Sequence, residues 1–264
     1  MSGVLAIAVL GAAGRMGLQT VTRVHEAEDL TLSSALVRRE SPLYGRDIGD
    51  LAGLGPIDVV AGSTLNEADV LIDFSNAQVL EYWLPQCAER KIPVVSGTTA
   101  LDEAQQKALD EAAESVPVLW AANMSPGVAL LTRLCREVAA ALGEQADVEI
   151  VEMHHRHKKD SPSGTALALA EAVASARGQT PADVVQVLRQ GADASRVPGE
   201  IGITGLRGGE VVGDHTVHVA LEHERLELTH RAASRAAFVD GALAAARWIV
   251  KQPPGRYALT DVYG

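Results

Sequence analysis

The stretch Glu152-Met153-His154-His155-Arg156-His157-Lys158-Lys159-Asp160-Ser161-Pro162-Ser163-Gly164-Thr165-Ala166 concentrates side chains that can do chemistry. Every residue from His154 to Lys159 can carry positive charge, in a chain whose 23 Lys+Arg and 34 Asp+Glu give a formal net charge of −11. Such a local reversal of sign points to an anion site. Pro162-Ser163-Gly164-Thr165 then opens a helical pattern over residues 166–176. The first turn of a helix presents unpaired N–H groups and the positive end of its dipole, a seat that suits the carboxylates of a small substrate. Histidine and lysine beside that seat can deliver protons near neutral pH when their surroundings tune them. Three other readings compete. His154, His155 and His157 have the donors for a metal, but Lys158 and Lys159 repel a cation and no cysteine is near. A solvated basic turn needs no function at all. A nucleic-acid patch finds no support in the net charge or in an aromatic content of 3%.

A second cluster is Gly11-Ala12-Ala13-Gly14-Arg15-Met16-Gly17, between an apolar run at 4–10 and a helical pattern at 16–28. Glycines after a buried strand allow a tight turn and close backbone approach, and the helix start offers N–H groups to a dinucleotide pyrophosphate. The spacing is G-x-x-G-x-x-G rather than G-x-G-x-x-G, and a purely structural turn is the alternative. The next strand ends Ala35-Leu36-Val37-Arg38-Arg39, with Glu40 the nearest carboxylate. An acidic side chain there would accept the ribose 2′-OH of NADH, whereas a guanidinium pair can clamp the 2′-phosphate of NADPH. The arginines favour NADPH over NADH, against the alternative of an ordinary solvated pair. Gly97-Thr98-Thr99 and Ala121-Ala122-Asn123-Met124 each follow a strand, where they either line a cofactor or only turn the chain. Cys87 and Cys135 read as small core residues rather than nucleophiles, and neither Ser75 nor Ser96 lies in a G-x-S-x-G elbow.

The elements that would position these groups alternate strand and helix. Strands are expected at 4–10, 30–37, 59–61, 69–74, 92–96 and 116–120, helices at 16–28, 77–90 and 102–115, and a loop at 38–55. That beat predicts a parallel sheet with helices on both faces. After Asn123 the texture changes. Helices are expected at 127–142, 163–176 and 236–249, with strands at 148–153, 201–204, 210–212, 215–220 and 224–229, an antiparallel or mixed sheet. The length of 264 residues, at about 150 per domain, allows one large or two modest domains, and 47% apolar residues supply a core. Two cysteines make no disulfide framework and suit a reducing, cytoplasmic compartment. The apolar run before Gly11 falls short of the ~18 residues of a membrane span and lacks the basic start of a signal peptide. Neither membrane nor nucleic acid is therefore an expected partner.

The glycine loop, Gly97-Thr98-Thr99 and the 152–166 stretch together resemble the 4-hydroxy-tetrahydrodipicolinate (dihydrodipicolinate) reductase family. H-H-x-x-K-x-D-x-P-S-G-T-A is a specific signature of that family, and the likeness continues through Arg207-Gly208-Gly209, Gly213-Asp214-His215-Thr216 and Thr229-His230-Arg231-Ala232. The resemblance implies an NAD(P)H-dependent reduction in lysine and diaminopimelate biosynthesis, acting on a small dicarboxylate and needing no metal. It implies His154 as proton donor and Lys158 as a second acid. His155, Gly164 and Thr165 would bind substrate. Gly11, Ala12, Ala13, Gly14, Arg15, Met16, Arg38, Gly97, Thr98, Thr99, Ala121, Ala122, Asn123 and Met124 would line the cofactor. Many members place an acidic residue just before the arginine matched by Arg38; here it is Val37, which agrees with the NADPH reading. The implied architecture is α/β: a Rossmann dinucleotide-binding domain from residues 1–125 and 236–264, and a substrate-binding domain over 126–235 whose mixed sheet builds a homotetramer. Two rivals remain open at this point. One is another two-domain Rossmann dehydrogenase, such as an aldehyde or sugar dehydrogenase, of which a semialdehyde type would need a nucleophilic cysteine on a loop. The other is a nucleotide-sensing regulator or binding module, which would need no His154/Lys158 pair.

Overall fold

The computed structural model describes residues 3–264. The chain divides into two compact units, Met1–Pro126 with Ala236–Gly264, and Gly127–Arg235. The first unit runs β1 (Leu5–Leu10), α1 (Arg15–Glu26), β2 (Leu30–Leu36), α2 (Ile48–Ala52), β3 (Ala61–Gly62), β4 (Val70–Asp73), α3 (Ala77–Glu89), β5 (Val94–Ser96), α4 (Glu103–Ala113) and β6 (Pro117–Trp120). The second holds α5 (Pro126–Leu142), β7 (Asp147–His154), α6 (Gly164–Ala176), α7 (Pro181–Val184), β8 (Val185–Val187), β9 (Ile201–Arg207), β10 (Asp214–Ala220) and β11 (Arg225–Arg231). The chain then returns to the first unit as α8 (Ala236–Ile249), β12 (Gly255–Tyr257) and α9 (Leu259–Val262).

The first sheet has seven strands in the order β12-β6-β5-β4-β1-β2-β3, with every pairing parallel. Val70, Leu71 and Ile72 of β4 and Val94 and Val95 of β5 are fully buried, as a sheet covered on both faces requires. The chain starts near the middle at β1, moves out through β2 and β3, then reverses to β4 on the other side of β1. Crevices at such a reversal are where open α/β sheets bind ligands. Register aligns the carboxyl ends in one row: Leu10 pairs with Leu36 and Asp73, Asp73 with Ser96, and Ser96 with Trp120. Helix α8 is rich in Ala and Gly because its inner face lies close to the rest of the unit, with Gly241, Ala242, Ala245 and Ala246 buried. Ion pairs Arg23–Asp240 (2.9 Å) and Arg247–Asp29 (2.6 Å) border it.

The second sheet is mixed, in the order β11-β10-β7-β9-β8. β7 is central, antiparallel to β10 and parallel to β9. Leu131, Cys135 and Ala139 of α5 and Ala166, Leu169 and Val173 of α6 pack on Val148, Ile150, Ile201, Ile203, Val217 and Val219, an apolar floor under both helices. Among the described residues no helix is long and apolar enough to cross a membrane.

The structure departs from the sequence expectations where local signals are short. The expected loop at 38–55 contains α2, started by Asp47, whose side chain accepts from the Gly49 N–H, and ended by Gly53 in the left-handed region. Residues 210–212 form no strand: Gly209, at φ +53°, begins a turn there. β8 and β12, three residues each, carry too little periodicity to be seen in advance.

Candidate active site

In the first unit the glycine turn sits at the β1/β4 reversal. Gly11 adopts φ +77°, and a Cβ there would stand 2.7 Å from the Phe74 carbonyl oxygen. At Gly17 a Cβ would overlap the Gly11 carbonyl, so only glycine lets α1 start against the turn. Gly14 caps α1 without a side-chain bond, and the first turn holds no acidic residue, so its N–H groups and dipole face outward unneutralised. A cavity of about 710 Å³ opens beside it, lined by Gly11, Ala13, Gly14, Arg38, Arg39, Ser63, Phe74 and Tyr82 among others. The cradle, the open helix start and the guanidinium pair fit a dinucleotide. Arg39 Nε donates to Ser63 Oγ at 3.2 Å, which orients that guanidinium at the cavity wall, and Arg38 is exposed.

The rest of the row is tied by Asp73, fully buried at the end of β4. Its Oδ1 accepts from Ser75 Oγ (2.5 Å) and Ser75 N (2.9 Å), and its Oδ2 accepts from Ser96 Oγ and Thr98 Oγ1 (both 2.7 Å). Burial pushes its pKa above the ordinary carboxylate value, with the hydroxyl donors opposing. The loops after β4 and β5 thus share one acceptor. Thr98 C=O also accepts Trp120 Nε1 at 2.8 Å, and Met124 Cγ lies 3.4 Å from where a Gly97 Cβ would be. Gly97, Thr98 and Met124 therefore meet at one edge of the sheet, with Thr99 and Ala122 exposed. Gly11, Ala13, Gly14 and Arg38 line the cavity directly. Ala12 is buried with its N–H bonded to Leu36 C=O at 3.2 Å, and Arg15 is exposed on the first turn of α1.

In the second unit the buried face of β7 changes from apolar to polar as the strand ends. Val148 and Ile150 are followed by Glu152 and His154 on the same face. Across the sheet Glu152 pairs with His215 on β10 and Gly205 on β9, and His154 pairs with Arg207. Glu152 is fully buried. Its Oε2 contacts His154 Nδ1 at 2.6 Å and Arg207 at 2.8 Å; its Oε1 accepts from Arg207 at 2.9 Å and from Ser163 N at 3.1 Å. Ser163 is the cap of α6, its Oγ accepting from Ala166 N at 3.1 Å while bonded to His215 Nε2 at 3.1 Å. Burial opposes ionisation of Glu152, but the Arg207 guanidinium and the His154 ring outweigh it and hold its pKa below the usual value. Burial, then the neighbouring His154, pushes His215 down to about 4.

The basic run is not one solvated turn. His154 is buried, His155 and Lys158 are half-buried, and Arg156, His157 and Lys159 lie at the surface. Lys158 Nζ sits 2.8 Å from Asp160 Oδ2, which lowers the Asp160 pKa, and His155 Nδ1 is buried without a partner. Gly164 is exposed and Thr165 half-buried at the α6 N-terminus. Among the described residues no group of three or more His, Cys, Asp or Glu is arranged to hold a metal ion. Burial pushes the Cys87 and Cys135 thiols up to about 12, so neither is a ready nucleophile. Sequence reasoning gave no role to Glu152, Arg207, Ser163, His215 or Asp73, although the first four lie in the stretches that carry the family resemblance. A further signal was a charged residue on an otherwise apolar buried face, Asp73 after Val70-Leu71-Ile72 and Glu152 after Ile150.

A parallel sheet reversing at a glycine cradle, joined to a mixed-sheet unit that holds a buried histidine and a helix start on one carboxylate, defines the class: a two-unit, Rossmann-type nicotinamide-dependent oxidoreductase. The chain belongs to the dihydrodipicolinate reductase family, whose N-terminal model matches residues 5–124 and C-terminal model residues 127–263. The 4-hydroxy-tetrahydrodipicolinate reductase of Halorhodospira halophila is 45% identical over 98% of this chain and 99% of its own. That of Psychrobacter arcticus is 44% identical over 98% and 94%. A dipicolinate-bound dihydrodipicolinate reductase from a Paenisporosarcina species shares the fold, with a TM-score of 0.77 at 23% identity over 98% of this chain and 99% of that one. The cofactor is accordingly a nicotinamide dinucleotide.

Proposed function

We propose that the chain reduces 4-hydroxy-tetrahydrodipicolinate to tetrahydrodipicolinate, using NADPH in preference to NADH. The substrate takes up a hydride at C4 and a proton and loses its 4-hydroxyl as water. The observation that carries this reading is a buried histidine, His154, held beside the N-terminus of α6, a proton donor next to an anion seat.

The dinucleotide, when bound, supplies the hydride. Gly11 to Met16 cradle its pyrophosphate: the Gly11, Ala12 and Gly14 N–H groups, bonded to the Leu36 and Gly11 carbonyls, shape the turn, the N–H groups of Ala13, Arg15 and Met16 meet the phosphates, and Arg38 meets the adenosine ribose. Gly97, Thr98, Thr99, Ala121, Ala122, Asn123 and Met124 border its other half. In the second unit His155, Gly164 and Thr165 bind the substrate carboxylates, where the helix dipole and first-turn amides favour negative charge. His154 donates the proton and Lys158 serves as a second acid. The dipicolinate carried by the Paenisporosarcina relative supports a seat for a ring dicarboxylate. NADPH preference is supported by Val37, which offers no carboxylate to a 2′-OH, and by Arg38 and Arg39 on the cavity wall.

In this reading the first unit serves the dinucleotide and the second serves substrate and a homotetramer. Glu149, Val151 and Met153 on the face of β7 away from the helices are half-exposed, and Leu206, paired with Met153 on that face, is 46% exposed, which suits a face covered by other copies. Sedimentation of the purified protein tests the assembly. The activity test is oxidation of NADPH on addition of freshly generated 4-hydroxy-tetrahydrodipicolinate. Turnover with both cofactors, faster per KM with NADPH, supports the reading; no oxidation above the substrate-free rate rejects it.

A further inference from the structure

Glu152 accepts from both terminal nitrogens of Arg207 and from the Ser163 N–H, its Oε2 lies 2.6 Å from His154 Nδ1, and no solvent reaches it. An isolated carboxylate in such a place would cost several kcal/mol, so its retention needs its partners. The bidentate Arg207 neutralises it and keeps it ionised. An ionised carboxylate only accepts, so His154 must present Nδ1 as the donor. The opposite nitrogen, Nε2, then faces the side of Gly213, where a Cβ would stand 3.1 Å away. The same carboxylate reaches the backbone of Ser163, the residue that caps the substrate-binding helix end.

We propose that Glu152 is the positioning residue of this site: it fixes the His154 ring with Nδ1–H inward and Nε2 outward, and ties that ring to the α6 N-terminus that seats the substrate carboxylate. Proton donor and anion seat then keep one spacing because they hang on the two oxygens of one side chain. Arg207 is its counter-ion rather than a substrate ligand. The inference rests on His154 being the proton donor. The charged and titratable groups around the ring are Glu152 from β7, Arg207 from β9, His215 from β10, and Lys158 with its partner Asp160 from the following loop.

The test compares kcat–pH profiles of wild type, Glu152→Gln, Glu152→Asp, His154→Ala and the His154→Ala/Glu152→Gln double variant. Glu152→Gln should lower kcat about 10–10²-fold with little change in the KM for NADPH. It should also move the alkaline limb of the profile, because the charge beside the reacting ring is lost. Glu152→Asp, which keeps the charge, should restore the position of the limb. In the His154→Ala background Glu152→Gln should add little, as expected when one residue acts through another. Equal losses in both backgrounds, or an unmoved limb, overturn the positioning role. Normal kcat in His154→Ala instead overturns the donor assignment beneath it. A folding failure of Glu152→Gln leaves a measurement on the wild type: ring ¹⁵N shifts of His154, assigned against His154→Gln. The neutral ring should carry its proton on Nδ1; a proton on Nε2 refutes the proposal.

Discussion

In the proposed reading, replacing His154 or Lys158 by alanine removes a proton donor of the second unit and leaves the residues of the dinucleotide cradle unchanged. Turnover should fall about 10²–10⁴-fold while cofactor affinity holds, measured by initial rates and by NADPH fluorescence titration. Thr165 stands at the α6 N-terminus; as the proposed ligand of a substrate carboxylate, its loss of a hydroxyl would weaken ground-state and transition-state binding alike. Thr165→Val should raise the substrate KM with a small change in kcat. Pyridine-2,6-dicarboxylate should compete with substrate in the wild type and less well in the variant; a dianion that does not compete would mean that the helix end is no carboxylate seat. In the proposed reading, cofactor choice turns on the tip of β2. Arg38→Ala should lower kcat/KM about tenfold for NADPH and less for NADH, since only the former carries the 2′-phosphate. Val37→Glu should move the preference toward NADH by adding an acceptor for the 2′-OH and a charge that repels the phosphate. Both arginines line an open cavity, so salt should shrink the NADPH preference. Equal effects of Arg38→Ala on both cofactors would place the ribose elsewhere along Arg39 to Gly45.

At the scale of elements, what the sequence showed depended on how locally each feature is encoded. The glycine turn, α1, β1 and β4 were readable because a buried parallel strand is a continuous apolar run and a helix start needs particular neighbours. The His154–Thr165 segment was readable because its charges and its helix start are contiguous. The two buried carboxylates were not, since Asp73 and Glu152 acquire meaning only through donors far along the chain: Ser96 and Thr98 for one, Arg207 and Ser163 for the other. Pairing register brings His215 beside Glu152, and no sequence period announces that. Strands of three residues such as β8 and β12 exist by virtue of a neighbour to pair with. The same logic makes Asp73 testable as a tie between elements. Asp73→Ala strands Ser75, Ser96 and Thr98 hydroxyls without their acceptor at the ends of β4 and β5. It should cost about 2–4 kcal/mol of stability in denaturant titrations and raise the KM for either dinucleotide. An unchanged midpoint would mean that water replaces the carboxylate without loss.

Across the whole molecule the two units should answer mild acid with opposite sign. In the second unit His215 is 2% exposed and its pKa is pushed from 6.5 to about 4, burial being the main cause. The unfolded chain therefore binds a proton near pH 6.5 that the native unit refuses until about pH 4, and stability falls as pH drops through that window. The shift corresponds to about 3 kcal/mol at its lower end. His230, also lowered by burial, acts in the same direction. Glu152, held below its ordinary 4.5, adds a further loss as pH falls below that value, because the unfolded carboxyl protonates first. In the first unit Asp73 is raised by burial, so the native state takes up its proton before the unfolded chain does, and acid favours folding there. Asp29, lowered by Arg247, opposes this only below about 3.8. Between pH 6.5 and 4.5 the second unit should thus become the weaker one. Hydrogen exchange followed by mass spectrometry should show protection lost first in β7, β9, β10 and α6, while β1, β4 and β5 hold. His215→Asn keeps a side chain that can bond Ser163 and removes the titration, so it should flatten that pH dependence. Loss of protection at one pH in both units, or a His215→Asn variant as acid-sensitive as the wild type, would show that another group governs the acid response.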